Sequence, residues 1–172
     1  MTKVAPTIVV SDTSPLTNLA AIGQFDLLRR LYTEIHIADG VWDELNAEGK
    51  RWPGAENVAA ARWVRRHAAQ NKALVKALRR DLDQGEAESI ALALELNATL
   101  LLLDEKEGRH IAERLGLHAV GVVGILLEAK AKGVIDRVRP HLDALRQTAG
   151  FFLSEPVYQS ALVLANEEGR SE

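Results

Sequence analysis

The sequence contains no cysteine, which excludes disulfides and the thiolate zinc sites that cysteine spacing would announce. Aromatic residues make up only 5% of the chain. Trp52 and Trp63 stand alone, so the sequence offers no aromatic-rich platform for stacking nucleobases, and base-specific readout is not expected. Apolar stretches such as 99–103 fall far short of the roughly 20 residues that a bilayer-spanning helix needs. Residues 1–6 lack the apolar segment of a secretory signal, so a cytoplasmic location and no membrane partner are expected. The net charge of −3 does not advertise a nucleic-acid ligand, although the distribution of charge matters more than its sum. No phosphate-cradling glycine loop is present. Asp12 is followed by Thr13 and Ser14, not by the second aspartate of a haloacid-dehalogenase phosphatase, and it lacks the paired acids of a receiver domain.

What remains is a chain of 172 residues, 47% hydrophobic and 26% charged, suited to a globular protein with a real core. One domain over residues 1–172 is expected, with a C-terminal helical extension from about 134. Apolar runs alternate with helix-like segments, the pattern of an α/β protein with a mainly parallel sheet. Strands are predicted at 8–10, 35–38, 99–103 and 117–122, and residues 62–65 read either as helix or as a short edge strand. Four consecutive leucines, Leu100 to Leu103, suit a strand covered on both faces. Helices are predicted after Ser14, at 25–32, at 41–46 with a stop near Gly49, and within 55–82. Others follow from Asp83 to about Asn97, after Asp104 to Arg114, at 125–132, around 141–147, and after Ser154 to Asn166. Ser14 is placed as an N-cap with Pro15 at the first helical position. Asp83 and Glu86 have capping-box spacing. Gly116 and Gly133 are placed as helix terminators.

Asp12 and Asp104 share an address, each directly after an apolar strand and before a helix. The carboxyl ends of parallel strands form one rim, where ligands bind. Glu44 lies on the helix leaving that rim. Glu86 opens the helix that feeds the 99–103 strand, and a helix start feeding a strand is expected at the opposite rim unless its packing turns it. Gathered carboxylates raise one another's pKa unless a cation joins them. With no histidine at ligand spacing, an oxygen-only set suits Mg²⁺ or Mn²⁺, ions that promote phosphodiester cleavage. Taken singly, each aspartate also reads as a helix cap, and Glu44 as a solvated helix residue.

The segments VVSDTSPL, VWDEL, LDQGEAESIALALEL, LLLLDEKEGRHIAERLGL and GVVGILLEAKAKGVI, in this order and spacing, resemble the PIN-domain family, and more narrowly its VapC-like branch of prokaryotic toxin-type ribonucleases. The resemblance runs from about Ile8 to Leu162. It implies a three-layer α/β/α sandwich around a parallel sheet of order 3-2-1-4-5. It also implies an Mg²⁺- or Mn²⁺-dependent endoribonuclease, the toxin of a toxin–antitoxin pair, with RNA as substrate, a small antitoxin protein as partner and a homodimeric state. The catalytic and metal-holding residues it implies are Asp12, Glu44, Glu86 and Asp104, with Glu86 facing the same cleft as the others. Asp83 competes with Glu86 for the third acidic position, and Glu107 is an auxiliary candidate beside Asp104. Thr13 and Ser14 either orient a metal-bound water or a phosphate, or simply cap the helix. Asn18, one turn after Ser14, is a further candidate for the cleft.

For the RNA itself, the basic residues between Arg62 and Arg80 form either a phosphate-binding stretch or a solvated face. Arg109 is a second candidate phosphate contact. The apolar helix around 157–164 is expected to support self-association, antitoxin docking or packing on the chain's own core. A PIN-like binding module without nuclease activity is the alternative function.

Overall fold

A strand with no polar alternation needs helices on both of its faces, and the computed structural model, which describes residues 7–47 and 52–169, meets that need. The first half runs β1 (Val9–Ser11), α1 (Thr13–Ala21), α2 (Leu27–Tyr32), β2 (Ile35–Ala38), α3 (Asp39–Leu45), α4 (Ala55–Ala60), β3 (Val64–His67) and α5 (Lys72–Leu78). It continues with α6 (Gln84–Glu95), β4 (Leu100–Leu102), α7 (Lys106–Arg114), β5 (Ala119–Val120), α8 (Val122–Ala131), α9 (Arg139–Gln147) and α10 (Glu155–Leu164). All five strands are parallel, in the order β3-β2-β1-β4-β5, as the resemblance implied.

Alternate strand residues feed two cores. Val9, Ile35, Ile37, Leu100 and Leu102 join one with residues of α1, α2, α3, α8, α9 and α10. Val10, Ala38, Leu101 and Leu103 join the other with residues of α5, α6 and α7. The resulting three layers place the carboxyl ends of β1, β4 and β5 on one rim.

The structure resolves one alternative and changes three expectations. Residues 64–67 form the edge strand β3, paired with all of β2 from Ile35↔Val64 to Ala38↔His67. Helix α1 begins at Thr13, so Asp12 occupies the N-cap position that Ser14 was expected to fill, although its side chain makes no capping hydrogen bond. Pro15 then lies third in the helix, where its missing N–H is still one of the four a helix leaves unpaired. The last strand stops at Val120, because the N–H of Val122 is drawn to Asp104 Oδ1 at 2.6 Å and opens α8. Finally, the start of α6 lies on the same rim as the strand ends. A helix feeding a parallel strand runs antiparallel to it, so its N-terminus sits where the strands finish. Helix α3 ends at Leu45, while the stop expected near Gly49 lies outside the described residues. Gly116 (φ +85°) and Gly133 (φ +71°) do follow their helices in the left-handed conformation.

Close approach of α3 to α6 brings Glu44 toward the rim. A Cβ at Gly40 would stand 2.1 Å from Glu88 Oε2, and Glu88 is a buried carboxylate held by Gln84 Nε2 at 3.0 Å. Gly40→Ala is therefore expected to cost about 1–3 kcal/mol by overpacking, read as a lower urea midpoint. Gly40→Ala/Glu88→Ala should recover most of that loss, and a double variant as unstable as the single one would contradict the contact.

Candidate functional site

Asp12 directly follows β1, with its backbone pinned on both sides. Its N–H donates to Leu102 O at 2.9 Å, and its carbonyl accepts the Ser11 hydroxyl at 2.9 Å. Its side chain is buried, and Oδ1 has no hydrogen-bond partner among the described residues. Burial pushes this carboxyl well above its ordinary 3.8; the Thr13 backbone N–H opposes that, while Asp83, Glu86 and Glu44 push further. A small cavity of about 130 Å³ opens here, lined by Asp12, Thr13, Ser14, Thr17, Glu44, Trp52, Asp83 and Glu86.

Three elements aim carboxylates at one point. The Cβ position of Gly85 lies 3.1 Å from Glu44 Oε2, 3.3 Å from Asp12 Oδ1 and 3.6 Å from Asp83 Oδ1. Only glycine leaves that space open. Thr13 Oγ1 donates to Glu44 Oε2 at 2.8 Å and so fixes the α3 carboxylate. Asp83 and Glu86 form the capping box read from their spacing: the Glu86 N–H donates to Asp83 Oδ1 at 2.8 Å, and the Asp83 N–H donates to Glu86 Oε2 at 3.2 Å. Burial first, and the Asp83 charge second, push Glu86 up to about 7.

Asp104 stands on the same rim but lines a neighbouring cavity. Its Oδ1 accepts the Val122 N–H, and its Oδ2 accepts Asn18 Nδ2 at 3.4 Å. Asn18 also donates to Ser14 Oγ at 3.1 Å, tying Asp104 to the wall of the acidic cavity. Burial raises the Asp104 carboxyl, while the Val122 N–H, Ser14, Asn18 and Arg109 hold it back. Arg109 Nη1 donates to the carbonyls of Leu103 and Asp104. Glu107 is exposed on α7 and lines neither cavity. Of the basic stretch, Arg65 pairs with Glu34 and Arg66 with Asp39, whereas Lys72, Lys76 and Arg80 are exposed.

The set is oxygen-only, and the orphaned Asp12 Oδ1 beside Glu44 and Asp83 fits a hard divalent cation. Among the described residues, no three histidine, aspartate or glutamate side chains stand as a ready metal cluster. Sequence reasoning missed Thr17 and Trp52 in the acidic cavity. Helical spacing from Thr13 would have found Thr17. Nothing local marks Trp52, which arrives from a distant segment.

A family model described as a PIN domain matches residues 8–167. No curated protein matches the chain.

Proposed function

The chain belongs to the PIN-domain family, a fold generally used by nucleases, and from that premise we propose that it is a metal-dependent endoribonuclease hydrolysing RNA phosphodiester bonds. One observation carries the reading: Asp12 buries an unpartnered carboxylate oxygen beside Glu44 and Asp83. An ionisable group held this way is costly unless a cation or substrate completes it.

In this proposal Asp12, Glu44, Asp104 and the two acids opening α6, Asp83 and Glu86, hold Mg²⁺ or Mn²⁺. Such an ion, when bound, activates water and neutralises charge building on the phosphodiester. The remaining groups orient the acids. Thr13 holds Glu44, while Asn18 and the Val122 N–H hold Asp104 at both oxygens. Ser14 takes part in the same support, its Oγ accepting from Asn18 and its hydroxyl holding down the Asp104 carboxyl. Outer groups of this kind are worth about 10–100-fold in affinity or rate at metal sites.

The proposal extends to a toxin restrained by a small antitoxin protein and acting as a homodimer. Helix α10 supports a protein contact, since it buries Tyr158, Ala161 and Leu162 yet leaves Leu164 74% exposed. A cytoplasmic location is part of the same proposal; no helix among the described residues is long and apolar enough to cross a membrane. The second reading, a binding module without nuclease activity, draws on the dispersal of the acids and on the engagement of Glu86 in its capping box.

The test incubates the protein with mixed single-stranded and structured RNAs, with Mn²⁺ or with chelator, beside Asp12→Asn/Asp104→Asn. Cleavage by the wild type with Mn²⁺ alone is expected. Equal cleavage by the variant would remove these residues from the reaction, and no cleavage by either would favour the binding module.

A further inference from the structure

The cavity beside Asp104 holds about 360 Å³ and is walled by the first turns of α7 and α8 and by the 151–154 segment between α9 and α10. Phe152 is 88% exposed there, more than any other large apolar side chain among the described residues. Its neighbours fix it in place. Phe151 packs on the core and its N–H donates to Leu145 O at 2.9 Å. Leu153 is buried, and its carbonyl accepts Arg146 Nε and Nη2 at 3.1 and 2.8 Å. A bare aromatic ring is thus presented on a pinned backbone, so stacking orders only the side chain and not the segment. Lys106, exposed on the first turn of α7, and Arg109 supply positive charge to the same cavity. The two adjacent phenylalanines were visible in the sequence, but only the fold brings them to Asp104.

We infer that this groove seats one unpaired nucleotide of the substrate strand, next to the phosphate at the acidic cleft. The base stacks on Phe152, and Lys106 and Arg109 hold the adjoining phosphate. Continuity with Asp104 and the cationic wall favour a nucleotide over an apolar protein segment. Stacking accepts any base, because every base has a π face, so the groove selects strand state and not sequence. A base held in an A-form duplex does not reach the ring, so the groove admits only an unpaired nucleotide. This rests on the endoribonuclease reading.

The experiment follows the fluorescence of 2-aminopurine in a single-stranded oligoribonucleotide titrated with the full chain in chelator. Cleavage with Mn²⁺ and sedimentation are measured on the same preparations. The wild type should quench the probe and bind the same strand more weakly in a duplex. Phe152→Leu, at a site too exposed to affect folding, should abolish the quench and weaken binding roughly tenfold. Lys106→Ala should weaken binding and lower the salt slope by about one. Wild-type affinity and quenching in Phe152→Leu would overturn the groove while leaving the nuclease reading intact. So would a wild type that cleaves RNA without quenching the probe. If the wild type neither binds nor cleaves RNA, the nuclease reading fails and takes the groove with it. If Phe152→Leu keeps its RNA affinity but turns a dimer into a monomer, the ring belongs to an interface between copies.

Discussion

Asp12→Asn is expected to abolish RNA cleavage and, in the same molecule, to raise the thermal stability of the metal-free protein. Loss of an outer-shell partner at a metal site costs about 10–100-fold, so loss of the acid at the centre of the cleft should cost at least about a hundredfold. The gain in stability has a separate cause. Burial pushes the Asp12 carboxyl well above 3.8, so the folded chain must either keep a proton or bury a charge as the pH rises. An acid whose pKa is raised by folding is stabilising below its unfolded value and loses that contribution as the pH climbs through the folded one. Asparagine has no such titration. Wild type and variant should therefore melt alike near pH 4 and diverge toward neutrality, with the variant higher. Each kcal/mol is worth about 2–4 °C in a chain of this size. A variant that melts below the wild type at pH 8 without metal would show that Asp12 stabilises the fold, and would contradict a site strained for binding.

Glu167→Ala is expected to produce the largest loss of stability outside the cleft. The Glu167 carboxylate is buried and accepts the Val138 N–H at 2.8 Å and the Arg139 N–H at 3.1 Å. Lys130 Nζ lies 3.0 Å away, and Arg139 Nη2 returns a bond to the Glu167 carbonyl. One side chain thus ties the chain after α10 to the start of α9 and to α8. Its removal strands buried N–H groups and takes one acceptor from the partly buried Lys130 ammonium, which keeps the Ala165 carbonyl, a loss of about 2–4 kcal/mol, or about 10 °C in melting temperature. The pH dependence identifies the cause. Burial alone would raise the Glu167 carboxyl, but Val138, Arg139 and Lys130 outweigh it and hold it below 4.5. Its contribution is present above 4.5 and disappears as the pH falls through the lowered value. Glu167→Gln should flatten that acid limb while losing less stability than the alanine variant. An unchanged melting temperature in Glu167→Ala would remove the lock.

The legible parts of this protein are those whose cause is local. Leu100 to Leu103 announced a doubly covered strand because no polar residue interrupts them. Asp83 and Glu86 announced their capping box because both partners lie within one turn. Asp12 and Asp104 announced a shared rim because strand ends collect there in any parallel sheet. Non-local features showed only in part. Residues 62–65 read equally as helix or edge strand, because the strand character of Val64–His67 depends on pairing with β2. The end of β5 was set by a carboxylate 18 residues before Val122. Chain order alone suggests the opposite rim for Glu86, whereas a crossover helix runs antiparallel to the strand it feeds and starts at the strand ends. The convergence of Glu44 on Asp12 required two glycines, Gly40 and Gly85, that let α3 approach α6. Trp52 and Phe152 reached the two cavities from segments with no motif of their own.

The central claim is that the acids around Asp12 take up a divalent cation. Its most direct test is a Mn²⁺ titration of wild type and Asp12→Asn, reading the free-ion signal by electron paramagnetic resonance. The wild type should deplete that signal, and more strongly as the pH rises, since binding must displace protons held by the raised carboxyls. The Asp12→Asn variant should leave the signal nearly untouched. Equal depletion by the two proteins would contradict the account.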